Sequence, residues 1–251
     1  MKLFATLSAT AITTATLLAA SAAQADTLTV REGLNGYAGT QDTWFSERST
    51  GGENAGFPES TYIRTALWSG ANQQGLLQFV GLENMLVPGG TINSATLQLT
   101  VPSDITFSDG ETNAVHQMLV AWEETDTYGS APWAGGATPQ IDLDDVEAAS
   151  IAVADSNAFA TDDIIPQGAV LTFDVTSIVQ AWADGEANYG FLFQSLGLAG
   201  GGGLFMASSE YDGADGEAAR PTLIIDGDVV PEPGSLALLG LGGLAILRRR
   251  R

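Results

Sequence analysis

Ala95-Thr96-Leu97-Gln98-Leu99-Thr100-Val101 alternates apolar and polar residues without a break. In a strand, successive side chains point to opposite faces, so Ala95, Leu97, Leu99 and Val101 share one face and Thr96, Gln98 and Thr100 the other. Such a segment is a half-buried antiparallel strand with a polar outer surface. The same reading holds for Leu171-Thr172-Phe173-Asp174-Val175, where Leu171, Phe173 and Val175 turn inward. Phe191, Phe193 and Ser195 share a face of the next strand. Outward from these, short β-branched and aromatic segments alternate with Gly, Asp, Asn and Ser turns. Strands are expected at 28–32, 42–46, 62–67, 75–80, 91–101, 116–122, 169–175, 190–195, 204–208 and 221–226.

One segment breaks the period of two. Thr176-Ser177-Ile178-Val179-Gln180-Ala181-Trp182-Ala183-Asp184-Gly185 opens on hydroxyls able to cap a helix and closes on a glycine suited to end one. Ile178, Ala181 and Trp182 form its buried stripe. Residues 142–152 read either as a second, weaker helix or as a loop carrying a short strand. The pattern predicts an all-β fold, a jelly-roll-like β-sandwich with one short helix near 176–184. It would occupy residues 26–228 as one domain.

Charge narrows the function. The 251 residues hold 30 Asp and Glu, 9 Lys and Arg, one His and no Cys. Between Asp26 and Val230 the basic residues are Arg31, Arg48, Arg64 and Arg220, against 29 acids, a net charge of −25. Nucleic-acid binding through phosphate neutralisation needs a basic face and is excluded. Docking on anionic lipid is disfavoured for the same reason. Without Cys there is no disulfide framework or thiolate site. A single His, His116, leaves little room for a Ser-His-Asp triad or a multi-His metal site.

Both ends read as addresses. Lys2, an apolar stretch over 3–20 and Ala23-Gln24-Ala25 form a secretory signal peptide over 1–25, cleaved between Ala25 and Asp26. At the other end, residues 229–251 contain Pro231-Glu232-Pro233, an apolar run over 236–247, and Arg248, Arg249, Arg250 and Arg251. The run is short for a full span, which takes about 20 residues, and the Arg cluster would remain cytoplasmic. A simple tail anchor is the alternative. This three-part tail resembles the PEP-CTERM sorting signal of Gram-negative bacteria. The resemblance implies transient insertion in the inner membrane, recognition and cleavage by an exosortase, and release to the cell surface or exopolysaccharide matrix, where biofilm is formed.

The domain also resembles a family. Gln74-Gly75-Leu76-Leu77-Gln78-Phe79, the stretch Val87 to Leu99, Trp122-Glu123-Glu124, Phe173 to Trp182 followed by Gly185, Asn188 and Gly190, and Arg220-Pro221-Thr222-Leu223 occur in the order found in DNRLRE-type domains. These are classed among carbohydrate-binding modules, so the resemblance implies an extracellular polysaccharide as ligand. Asp42-Thr43-Trp44-Phe45 and Asp126-Thr127-Tyr128 depart from its usual pattern.

Candidate sites follow from chemistry. Glu123 and Glu124 are adjacent, so they diverge and make a poor glycosidase pair, which needs two carboxyls facing one bond. No nucleophile elbow or phosphate loop is present, and the chain is read as non-catalytic. Trp122 and Trp182 are read as core. Trp44, Trp68, Trp133, Tyr128 and Tyr211 fall at strand ends or in loops and are the candidate sugar platforms. The cofactor that the acidic loops admit is Ca²⁺, which takes oxygen ligands. Its candidate ligands are Asp212, Asp215 and Glu217, then Asp142, Asp144 and Asp145, then Asp104, Asp109 and Glu111. A domain this acidic repels a polyuronate over a Debye length of about 8 Å, so a neutral glycan, or an acidic one bridged by Ca²⁺, is the easier ligand.

Overall fold

The structure is a computed structural model, and it describes residues 26–46, 55–56, 60–68, 71–106, 113–126, 146–153, 164–195 and 203–230. These residues form mostly antiparallel strands and one short α-helix. All ten expected strands are present, with shifted ends.

A four-stranded sheet has the order β1 (Asp26–Arg31), β14 (Thr222–Gly227), β6 (Ile92–Thr100), β11 (Val170–Asp174). The opening heptapeptide is its centre: Leu97 pairs with Leu223 on one side and Phe173 on the other. Paired residues share a face, so Ala95, Leu97, Leu99, Leu171, Phe173, Leu223 and Ile225 all turn inward and are buried.

The larger sheet runs β13 (Gly203–Ala207), β4 (Tyr62–Trp68), β5 (Ala71–Phe79), β12 (Phe191–Ser195), β8 (Asn113–Met118), β9 (Val146–Val153). Beside this path, β2 (Thr40–Ser46) pairs with β5 and with β3 (Ala55–Gly56). A small pair, β7 (Ile105–Thr106) with β10 (Ile164–Ile165), completes the described strands. Ile63, Leu77, Phe79, Val115, Phe191 and Phe193 of the large sheet share one core with the inward face of the small sheet. Phe173 and Phe193 meet edge to face at 6.1 Å across the layers. Gly75 is bare because the Ile63 side chain occupies the position its Cβ would take. A second, smaller cluster of Phe45, Leu76, Met118, Trp122 and Leu192 lies apart from this core.

Residues 146–152 are strand, not helix, in β9. Pairing with β8 supplies its hydrogen bonds and overrides the three alanines of Val146 to Val153, a residue type depleted in strands. The expected strand at 116–122 ends early, at Met118. Leu119 is exposed, and Trp122 instead folds back to donate its indole N–H to the Tyr189 carbonyl at 2.8 Å.

The helix α1 (Thr176–Ala183) lies where expected, and Ile178, Val179, Trp182 and Ala183 are buried. Its start differs in detail. Asp174 Oδ1, not a helix hydroxyl, accepts from the Thr176 amide and hydroxyl. Thr176 Oγ1 in turn accepts from the Ala95 amide at 2.9 Å. Gln180 ties the helix to β6, accepting from the Ile92 amide and donating to the Gly90 carbonyl. Asn188 spans from the Phe79 carbonyl to the Gly190 amide. Among the described residues no helix is long and apolar enough to cross a membrane.

Candidate functional site

The C-terminal end of the domain is built by a clip. Val87-Pro88-Gly89-Gly90 is a tight turn: Pro88 presets its own φ, Gly89 sits at φ +68°, and the Gly90 amide closes onto the Val87 carbonyl at 2.8 Å. The Gly89 amide anchors this turn to the end of α1 through the Ala183 carbonyl at 2.7 Å. The chain leaving β14 runs antiparallel to this segment. Gly227 passes so close to it that a Cβ would sit 2.5 Å from the Thr91 carbonyl oxygen. The Asp228 amide bonds to Thr91 O, its carbonyl accepts from Val87 N, and its carboxylate accepts from Thr91 N. Val229 bridges Leu86, and the Val230 amide reaches the Met85 carbonyl at 2.8 Å. The next residue is Pro231, the first of Pro231-Glu232-Pro233.

Beside this clip lies a groove of about 680 Å³. Leu34, Tyr37, Val80, Asn84, Met85 and Val230 line it, along with the Leu28–Val30 stretch of β1. Its wall is held by the Val80 amide on Gly39 O and the Tyr37 hydroxyl on Val80 O. Burial, and then the charge of Glu32, raises the Tyr37 phenol far above its ordinary value, so it remains a neutral donor. Val80 and Val230 stay 42% and 45% exposed.

A second chemically distinct place centres on Asp42, which is fully buried on β2. Its carboxylate accepts from the Ser209 amide at 2.7 Å, and its own amide donates to Glu124 at 3.0 Å. Burial is the largest cause raising the Asp42 carboxyl well above its ordinary value; the nearby Glu210 charge adds to it. Sequence reading passed over Asp42, Glu124 and Glu210 as a set, because β2, the segment after β8 and the turn after β13 meet only in space.

Two of the sugar-platform candidates are buried. Trp44 is 6% exposed and its ring lies under the Arg64 guanidinium at 5.4 Å. Arg64 is also stacked on Phe205 at 4.3 Å, so both rings serve to hold a half-buried cation. Tyr211 is 8% exposed and packs with Ala207 and Ala219, while its carbonyl accepts from Arg220. Neither ring offers the open face a sugar needs. Trp133, Tyr128 and the Trp68 side chain lie outside the described residues. Trp122 and Trp182 are core, as expected.

The acidic candidates are dispersed. Asp212, Asp215 and Glu217 are all exposed. Asp215 adopts φ +67° to start the turn Gly216–Ala219, and Glu217 faces Arg220 at 3.7 Å. Asp104 accepts from the Gln167 amide. Among the described residues no group of three His, Asp or Glu is gathered as a metal would require. Asp142, Asp144, Asp145, Asp109 and Glu111 lie outside the described residues. His116 is buried, and among the described residues neither ring nitrogen has a hydrogen-bond partner. Ala23 and Ala25 lie outside the described residues; Asp26 beyond them opens β1, paired with Gly227.

The arrangement is a β-rich domain whose last described residue, Val230, directly precedes Pro231-Glu232-Pro233. Residues 229–251 match the family described as the PEP-CTERM protein-sorting motif. The chain is therefore an exported protein that an exosortase recognises, processed at the membrane in transit toward the cell surface. No curated protein matches the chain. The match covers the tail, and no comparison supports the DNRLRE-type resemblance of the domain.

Proposed function

We propose that this is a non-catalytic protein of the cell surface or exopolysaccharide matrix of a Gram-negative bacterium. It is made with a signal peptide removed after Ala25 and released by cleavage near Pro231-Glu232-Pro233. The single observation supporting this reading is the sorting tail at residues 229–251 joined directly to a β-rich domain. The domain is read as a jelly-roll of DNRLRE type, with a neutral polysaccharide as ligand. Trp68, Trp133 and Tyr128 remain the platforms for it, and Asp142, Asp144 and Asp145 the ligands for Ca²⁺. Affinity electrophoresis of the released protein through neutral and acidic glycans, with and without Ca²⁺, tests the ligand. Retardation by a neutral glycan is expected; free migration through every gel defeats the glycan reading.

A second reading is a structural matrix protein without a glycan site. The burial of Trp44 and Tyr211 favours it. It predicts self-association of the released protein, read by light scattering, with no retardation by any glycan.

A further inference from the structure

The distance between the folded domain and the membrane is set by very little chain. The clip holds Asp228, Val229 and Val230 by backbone hydrogen bonds to residues 85–91. The apolar run of the tail begins at Leu236, so five residues intervene. Fully extended, that stretch reaches only about 20 Å. While the tail sits in the membrane, whatever cleaves near the motif must work against this rim of the domain.

The rim carries a groove. Among the described residues the exposed large hydrophobics are Val80, Leu119, Ile164, Val170 and Val230, and two of the five line the groove beside the clip. These two lie beside the point where the chain leaves for the motif. The net charge of −25 opposes close approach to anionic lipid. A concave groove of about 680 Å³ takes a protruding apolar side chain more readily than the flat surface of a bilayer. We infer that this groove is a docking surface for the sorting enzyme, and that it takes an apolar segment of that enzyme's extracytoplasmic face. Tyr37, Val80, Met85 and Val230 supply the contact. The domain then takes part in its own sorting by holding the motif in place for cleavage. This inference rests on the sorting reading of the tail.

The test uses the full-length precursor in cells that carry the sorting enzyme. A photo-crosslinking amino acid replaces Val80, or Val170 as a control. Val170 pairs with Thr100, at the opposite end of β6 from the clip. The expected result is an adduct to the sorting enzyme from position 80 and none from position 170. Val80→Asp is expected to slow conversion of precursor to product at least about 5-fold, as loss of a central apolar contact does, while Val170→Asp leaves it unchanged. Limited proteolysis of the accumulated Val80→Asp precursor checks that the domain is folded; if it is not, the crosslink alone decides. An adduct to lipid, an adduct to the chain's own tail, or no adduct at position 80 overturns the inference. A Pro231→Ala/Glu232→Ala precursor separates the two levels. If it is processed like the wild type, the sorting reading fails; if it is blocked while position 80 stays unlinked, the docking surface alone fails.

Discussion

Asp42 places a carboxyl group where water cannot reach it, with Glu124 and Glu210 nearby. Its folded pKa is raised, so the native state binds its proton more tightly than the unfolded chain. Its contribution to stability is full below about pH 3.8 and is lost as pH rises toward the folded value. Asp42→Asn keeps an oxygen for the Ser209 amide and removes the charge. We predict a gain in stability at pH 7 and a smaller one at pH 4. Urea denaturation at both values checks it; an equal loss at both would refute this account. His116 has the opposite slope. Burial lowers its pKa below 6.5, so the neutral ring is the folded form. Its stability contribution is full above about pH 6.5 and is lost as pH falls from there through the lower folded value. His116→Leu should flatten the unfolding midpoint between pH 7 and pH 5, and an unchanged slope would count against it. Neither effect is legible in sequence, because burial is set by strands far apart in the chain.

At the scale of the element, the segment from Asp174 to Gly190 shows what a motif can and cannot reveal. Its residue types were recognisable, and the helix was placed from its capping residues and apolar stripe. Their work is architectural. Asp174 and Thr176 start the helix and bond β6, Gln180 joins the helix to the start of β6, and Asn188 bridges Phe79 and Gly190. Trp182 lies 5.1 Å from Phe191, between helix and sheet. Trp182→Ala should cost about 3–5 kcal/mol, as large aromatic truncations in cores do. Gln180→Ala leaves the Ile92 amide without its acceptor and should cost about 1–3 kcal/mol. Thermal unfolding of both variants measures this. A Gln180→Ala protein as stable as the wild type would show that water replaces the side chain there.

For the whole molecule, charge is the dominant property. With 29 acids and four Arg in residues 26–230, the folded domain repels itself. Added salt screens such repulsion, since the Debye length falls from about 30 Å at 0.01 M to about 8 Å at 0.15 M. The unfolding temperature should therefore rise over that range, by scanning calorimetry; a fall would mean that attractive ion pairs dominate. Among the described residues the one ion pair, Arg220 with Glu217, is partly exposed and adds little.

Alternation over residues 95–101 placed a strand at the centre of a sheet because the period of two is a local property of backbone geometry. The sorting tail was equally legible, since motif, apolar run and arginines follow one another along the chain. The sequence by itself therefore determined the strand-rich class, the helix and the destination. Tertiary structure decided the rest. It buried Trp44 under Arg64 and Tyr211 against Ala219, turned residues 146–153 into a strand by pairing them with β8, and gathered Asp42 with Glu124 and Glu210. It also joined residues 37, 80, 85 and 230 into one groove beside the sorting motif. Exposure and proximity depend on which distant segments pack together, and no local pattern along the chain encodes them.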